Sequence, residues 1–197
     1  MKKLFYSAIM VLFALLSIDA QTKWTIDIAH SKVQFAVTHL IISEVTGQFK
    51  SFDGNIESSK DDFTDAKIDF TIDVNSINTD NDDRDKHLKS DDFFNAEKFP
   101  KISFKGKSLK KIDAKNYKLV GDFTIRDITK EVALDVVYNG SVKDPWGNIK
   151  AGFKVKGEIN RFDYNLKWNM LMEAGGATVG KTVTLIINLE LQKSKWN

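Results

Sequence analysis

At 197 residues, with 42% hydrophobic and 28% charged side chains, the chain has enough apolar mass for one domain and is too apolar to remain disordered. Twenty-nine basic against 27 acidic residues leave a net charge of only +2, no field to gather a polyanion, which argues against nucleic acid as a partner. With no cysteine in the chain, disulfides, thiol nucleophiles and an acylated-cysteine anchor are all excluded.

Lys2 and Lys3 precede an apolar run from Leu4 to Ile18 that ends at Asp19-Ala20, before the polar Gln21-Thr22-Lys23. This is the layout of a secretory signal peptide over residues 1–20 with a small residue at the cut, and the run is short for a bilayer span. The expected mature domain is therefore residues 21–197, periplasmic or secreted, with no stable membrane anchor after cleavage.

Strands dominate the rest of the chain. Val33, Phe35, Val37 and His39 alternate with Lys32, Gln34, Ala36 and Thr38, a half-buried strand that turns His39 to the interior face as a hydrogen-bonded histidine. Val45 to Ile56 is strand-like again, with Gly47 and Gly54 placed as bends or bulges. Ile68, Phe70, Ile72 and Val74 give the cleanest alternation in the chain. Asn78 to Pro100 breaks the pattern: on a helix Arg84, His87, Leu88 and Asp91 share one face, Asp80 stands one turn before Arg84 to pair with it, and Pro100 forbids continuation. A short helical insertion is expected around residues 83–96. Ile102 and Phe104 resume the strands, followed by Tyr117 to Ile125 and Val132 to Tyr138 as a hairpin, the turn Asp144-Pro145-Trp146-Gly147-Asn148, then Ala151 to Ile159, and a last strand from Val183 to Leu191. About eight strands at this spacing specify an antiparallel sandwich or a closed barrel, and periodicity does not choose between them.

Three motifs suggest chemistry and fail on context. Gly175-Gly176-Ala177-Thr178-Val179-Gly180-Lys181-Thr182 has P-loop spacing, but the alternating β-branched run after it is no phosphate-binding helix. His30 and His39, nine apart, face opposite sides of an unbroken strand, and the aspartates 80, 82, 83 and 85 lack the glycine and terminal glutamate of a calcium loop, so no metal site is expected. No serine sits in a nucleophile elbow. Arg84, His87 and Arg161 are read as tying loops to the barrel or, alternatively, as meeting a headgroup together with His39.

The run from Arg84 to Phe104, with Asp92-Phe93-Phe94 in its middle and Phe99-Pro100 before a strand, resembles the signature of the YceI-like family of bacterial exported proteins. Further landmarks recur in order: Trp24 with Asp27 and His30-Ser31, His39 before Val45-Thr46-Gly47, Gly121-Asp122-Phe123-Thr124-Ile125 before Thr129-Lys130, Gly152-Phe153, Asn160-Arg161 and Val179-Gly180. The resemblance implies an all-β, antiparallel, eight-stranded lipocalin-like barrel, a long isoprenoid as ligand, and pairing into a homodimer. An isoprenoid, isoprenoid quinone or similar amphiphilic lipid would then lie against Phe35, Val37, Phe70, Ile72, Phe104, Leu119, Phe123, Leu134, Phe153, Val155, Leu185 and Ile187, in a carrier or storage protein that needs no cofactor and performs no reaction. The rival reading is a small-substrate enzyme or metal-dependent site built on His39, Arg84 and His87.

Overall fold

A computed structural model of the chain describes residues 21–170 and 178–195; the expected signal peptide and the first three residues of the P-loop-like motif lie outside the described residues, and the rest of that motif leads into a strand. Among the described residues eleven strands follow in order: β1 (Thr22–Ile26), β2 (Lys32–His39), β3 (Ser43–Phe49), β4 (Phe52–Ser58), β5 (Lys67–Asp73), β6 (Ile77–Asn78), β7 (Lys101–Lys111), β8 (Asn116–Ile125), β9 (Ile128–Lys143), β10 (Ile149–Asn160) and β11 (Val179–Lys193). One α-helix, α1 (Asp82–Lys89), interrupts them between β6 and β7.

The order β1-β4-β5-β7-β8-β9-β10-β11 closes on itself through a second pairing of β1 with β11, giving an eight-stranded antiparallel barrel. The closure turns on the length of β11. Its C-terminal part pairs with β1 (Trp24↔Lys193, Ile26↔Leu191) and its N-terminal part with β2 (Asn188↔Lys32, Leu185↔Phe35). The β2–β3 hairpin and the short β6 therefore extend the wall instead of adding staves to the ring.

Alternation sets the inner face. On β8, Tyr117, Leu119, Phe123 and Ile125 are buried and the residues between them are less so. The expected β8–β9 hairpin forms, with Ile125 opposite Ile128. Gly47 and Gly54, expected as bends, lie within β3 and β4. A Cβ on Gly47 would stand 2.4 Å from Phe35 Cζ and 2.8 Å from Thr79 Cγ2, so this glycine makes room for an aromatic ring instead of bending the chain.

The two barrel ends differ. The β4–β5 loop folds Phe63 into one end at φ +59, leaving it 2% exposed. Its ring lies 4.9 Å from Trp24, 4.9 Å from Phe153 and 5.6 Å from Tyr138, an aromatic floor. Asp65 ties this loop down, accepting from Ser58 Oγ, from Ser59 N and Oγ, and from Lys60 N. Burial pushes the pKa of that carboxyl up, but the hydrogen bonds together outweigh it and hold the group well below the usual carboxylate range.

The β5–β7 connection, at the opposite end, carries the helical insertion. Asn81 caps α1 by accepting from Arg84 N at 2.9 Å, and Asp82, Asp83 and Asp85 suit its positive N-terminus. The helix stops at Lys89, short of the expected 83–96, because Ser90 is extended (ψ 175°) and its N–H closes on the His87 carbonyl. Residues from Ser90 to Lys98 instead form turns, with Asn95 at φ +49. Asp91 consequently leaves the helical face it was expected to share.

Candidate functional site: an apolar lumen

The barrel encloses a cavity in which the space open to the centre of a water molecule is about 100 Å³. All eighteen residues lining it are apolar, supplied by β4, β5, β7, β8, β9, β10, β11 and the β4–β5 loop. Such a surface offers no directional partner, so it selects for hydrocarbon by excluding water and not by hydrogen bonding.

Ten of the twelve residues expected against a ligand tail are in that lining: Phe70, Ile72, Phe104, Leu119, Phe123, Leu134, Phe153, Val155, Leu185 and Ile187. Phe35 and Val37 are not. Phe35 stays half-buried beside Gly47 with its ring 5.7 Å from Phe49, drawn toward a second aromatic group in which Phe49 meets Phe94 at 6.0 Å. Sequence reasoning left out the other eight, Ile56, Phe63, Ala66, Ile68, Leu109, Val136, Leu189 and Leu191. Ile68 shares the alternation of Phe70 and Ile72 and was legible there; Phe63 and Ala66 lie in a loop that carries no periodicity.

The four polar residues expected at a headgroup do not converge, and three have internal duties. Arg161 is 2% exposed. Its guanidinium donates to the carbonyls of Gly180 (2.8 Å), Trp168 (2.8 Å), Val179 (3.1 Å) and Leu166, and it lies 4.4 Å from the Phe162 ring. Burial pulls its pKa down, and no carboxylate among the described residues balances it. Those donors brace the two ends of the β10–β11 connection, so Arg161 is not free to meet a ligand. Arg84 does not pair with Asp80; it donates to Thr79 Oγ1 and to the Thr79 carbonyl, both at 2.7 Å, while Thr79 donates to the buried Asp85 at 2.9 Å (N) and 2.6 Å (Oγ1). Asp80 itself sits at φ +57, pointing the chain away. His87 lies 2.8 Å from Asp92 Oδ2 and packs edge-on to Phe93 and Trp168 at 5.1 and 5.0 Å.

His39 departs from expectation: it is half-exposed at the end of β2, and no hydrogen bond to its ring forms among the described residues. The hairpin after it leaves the barrel, with Leu40 and Ile41 at φ +50 and +68, so the position opens to solvent. Arg126, missed in the sequence because a single turn arginine carries no pattern, clamps the insertion instead. Its guanidinium donates to the Phe93 carbonyl (3.1 Å) and to Asp91 Oδ1 (3.0 Å).

Asp27, His30 and Glu190 bring three ligand-type atoms within 4.8 Å of one another. Lys150 already fills that cluster, with Nζ 2.6 Å from Asp27 and 3.2 Å from Glu190. The hydrogen bond from Lys150 is the main cause that lowers Asp27 to about 2.

A sequence profile of the YceI-like domain matches residues 24–191, from the floor tryptophan to the last lumen residue of β11. The chain belongs to this family. UPF0312 proteins of Staphylococcus aureus strains N315 and Mu50 are each 42% identical over 175 residues, covering 88% of this chain and 99% of theirs. Among solved structures, the YceI protein of Campylobacter jejuni is 34% identical with a TM-score of 0.70, over 80% of this chain and 90% of that one. BcnA of Burkholderia cenocepacia superposes at 0.73 with 19% identity, over 84% and 98%. A structure described as a polyisoprenoid binding domain from Saccharophagus degradans superposes at 0.64 with 16% identity, over 87% and 98%. The last two share the YceI-like fold alone. What this YceI-like chain holds at its centre is an apolar cavity, while Arg84, His87 and Arg161 are occupied in holding loops.

Proposed function

We propose that the protein is an exported carrier or store for a long apolar chain, an isoprenoid, an isoprenoid quinone or a similar amphiphilic lipid, kept in the lumen without chemical change. The observation that supports this reading is a cavity lined entirely by aliphatic and phenyl groups inside a closed barrel. The Saccharophagus fold neighbour is described as binding polyisoprenoid, a ligand class that agrees with the wall chemistry. Residues 1–20 support export, and pairing into a homodimer belongs to the proposal as well.

Size sharpens the reading. An engineered cavity of roughly 150 Å³ admits a benzene ring, so about 100 Å³ seats a short stretch of branched chain at rest. A longer guest requires the wall to yield, and Leu185, Ile187 and Leu189 on β11 are only partly buried. Each isoprene unit buried contributes roughly 4 kcal/mol gross at about 0.8 kcal/mol per carbon, less the ordering and association costs. A few units are then enough to hold the ligand with no reactive group. Native mass spectrometry of the purified protein tests the proposal. A co-purified lipid, or uptake of an added isoprenoid quinone, is expected; preparations that are empty and refuse added quinone overturn it.

A further inference from the structure

The lumen has a thin place in its side wall. β5 and β7 keep their ladder from Asp73↔Lys101 to Asp69↔Lys105. Past that pair the register ends, and beyond the contact of Gly106 with Ile68 the strands part: Lys67 and Ile68 retain partners only on β4, and β7 carries a bulge between Gly106 and Ser108 in its ladder with β8. The gap appears outside as a groove of about 620 Å³ between residues 64–69 and 105–110. Ala66, Ile68 and Leu109 line both the groove and the lumen, so a single layer of apolar side chains separates them. Ile68 is only partly buried, whereas Phe70 and Ile72 on the same face are 8% and 5% exposed.

The groove is also basic. Lys67, Lys105, Lys107 and Lys110 surround it, with Asp65 and Asp69. Asp65 is committed to Ser58, Ser59 and Lys60, and Lys107 to Asp122 and Glu131. Among the described residues Lys67, Lys105 and Lys110 make no ion pair, leaving three cations against the carboxylate of Asp69.

We propose that this groove is a side entrance for an amphiphile with a phosphate-type head: the hydrocarbon passes between Ile68 and Leu109 while the anion rests on Lys67, Lys105 and Lys110. It rests on the lumen reading above. The β5–β7 register ends at Asp69↔Lys105, so the entrance lies beyond the paired part of the two strands. The lysine ammonium groups supply charge-assisted hydrogen bonds to the phosphate oxygens at the surface, where salt weakens them.

Farnesol and farnesyl phosphate share one chain and differ only in the head, so together they separate the parts of the proposal. Farnesyl phosphate is expected to bind the wild-type protein about tenfold more tightly at low salt, and Lys67→Glu with Lys105→Glu should abolish that preference while leaving farnesol affinity unchanged. A double variant that keeps the preference overturns the headgroup site. Inorganic phosphate should fail to displace farnesyl phosphate; full displacement means the lysines hold only a free anion, and overturns the entrance. The route itself is tested with Ile68→Cys and Gly106→Cys. A Cβ on Gly106 lies 3.1 Å from Ile68 Cβ, a small shift from the roughly 3.8 Å of a disulfide, and the chain has no other cysteine. Compared with the same double variant kept reduced, oxidation should slow farnesyl phosphate association at least about tenfold and slow its release equally, so that the two forms share one affinity, and reduction should restore the rate. An unchanged rate in the oxidised protein overturns the route. If both probes bind and all variants behave as wild type, the entrance alone fails; if neither probe binds the wild-type protein, the lumen reading fails and the entrance with it.

Discussion

Phe123→Trp asks directly whether the lumen is a slot or a packed core. Phe123 is 7% exposed, faces Phe104 across the β7–β8 ladder, and lies edge-on to Tyr164 at 5.9 Å. Inserting a larger ring into a filled core forces off-rotamer packing and costs about 1–3 kcal/mol. Here the added ring atoms have about 100 Å³ to enter, so the expected loss of stability is below about 1 kcal/mol. Occupying that space must then displace ligand. If the indole excludes two chain carbons, the lost transfer energy is about 1.6 kcal/mol, roughly a 15-fold weaker Kd. Urea unfolding of the empty protein and calorimetric titration with an isoprenoid quinone give the two numbers. A stability loss of about 2–3 kcal/mol with unchanged affinity would refute the reasoning, since the cavity would then be closed to both side chain and ligand.

Gly121→Ala should destabilise the barrel by about 2 kcal/mol or more, because the new Cβ would stand 2.4 Å from Phe104 Cζ and 2.5 Å from the Lys105 carbonyl; thermal unfolding of the variant measures it. Ile41→Gly should raise stability by about 1 kcal/mol in the same assay, since Ile41 holds φ +68 while 65% exposed and gives up little burial. Asp27 is held at about 2 from an ordinary 3.8, so its pair with Lys150 contributes fully above about pH 4 and is lost as pH falls from about 4 to about 2. With screening allowed for, the contribution is on the order of 1–2 kcal/mol, and Asp27→Asn should flatten that limb of a stability–pH curve.

The strands were legible because a barrel wall has one dry face, and period-two burial writes itself into residues such as Ile68, Phe70 and Ile72 on β5. Which strands close the ring was not, since β2 and β11 show the same alternation whether β2 is a stave or an extension of the wall. The residues expected against a tail were read from the periodicity, and ten of the twelve line the cavity; Phe35 does not, because a glycine on the next strand opens a different pocket for its ring. The headgroup assignments fared worst. Arginine and histidine in a sequence announce a hydrogen-bonding requirement without saying whether its source is a ligand or the protein's own carbonyls. In Arg161 and Arg84 the source is backbone outside the ladder, the carbonyls of Trp168 and Thr79, together with the Val179 and Gly180 carbonyls at the start of β11.

That division explains how polar chemistry is distributed in the molecule. The insertion and the residues that follow β10 as far as Trp168 lie outside the barrel ladder, so their carbonyls need donors from side chains, and Arg84, Arg126 and Arg161 provide them. An arginine committed to several carbonyls cannot also follow a moving headgroup without releasing them into an apolar interior. Lys67, Lys105 and Lys110, on β5 and β7, carry no such commitment. Recognition of charge in this barrel is therefore expected on its flank, recognition of hydrocarbon at its centre, and the residues between Ile68 and Leu109 are where the two meet.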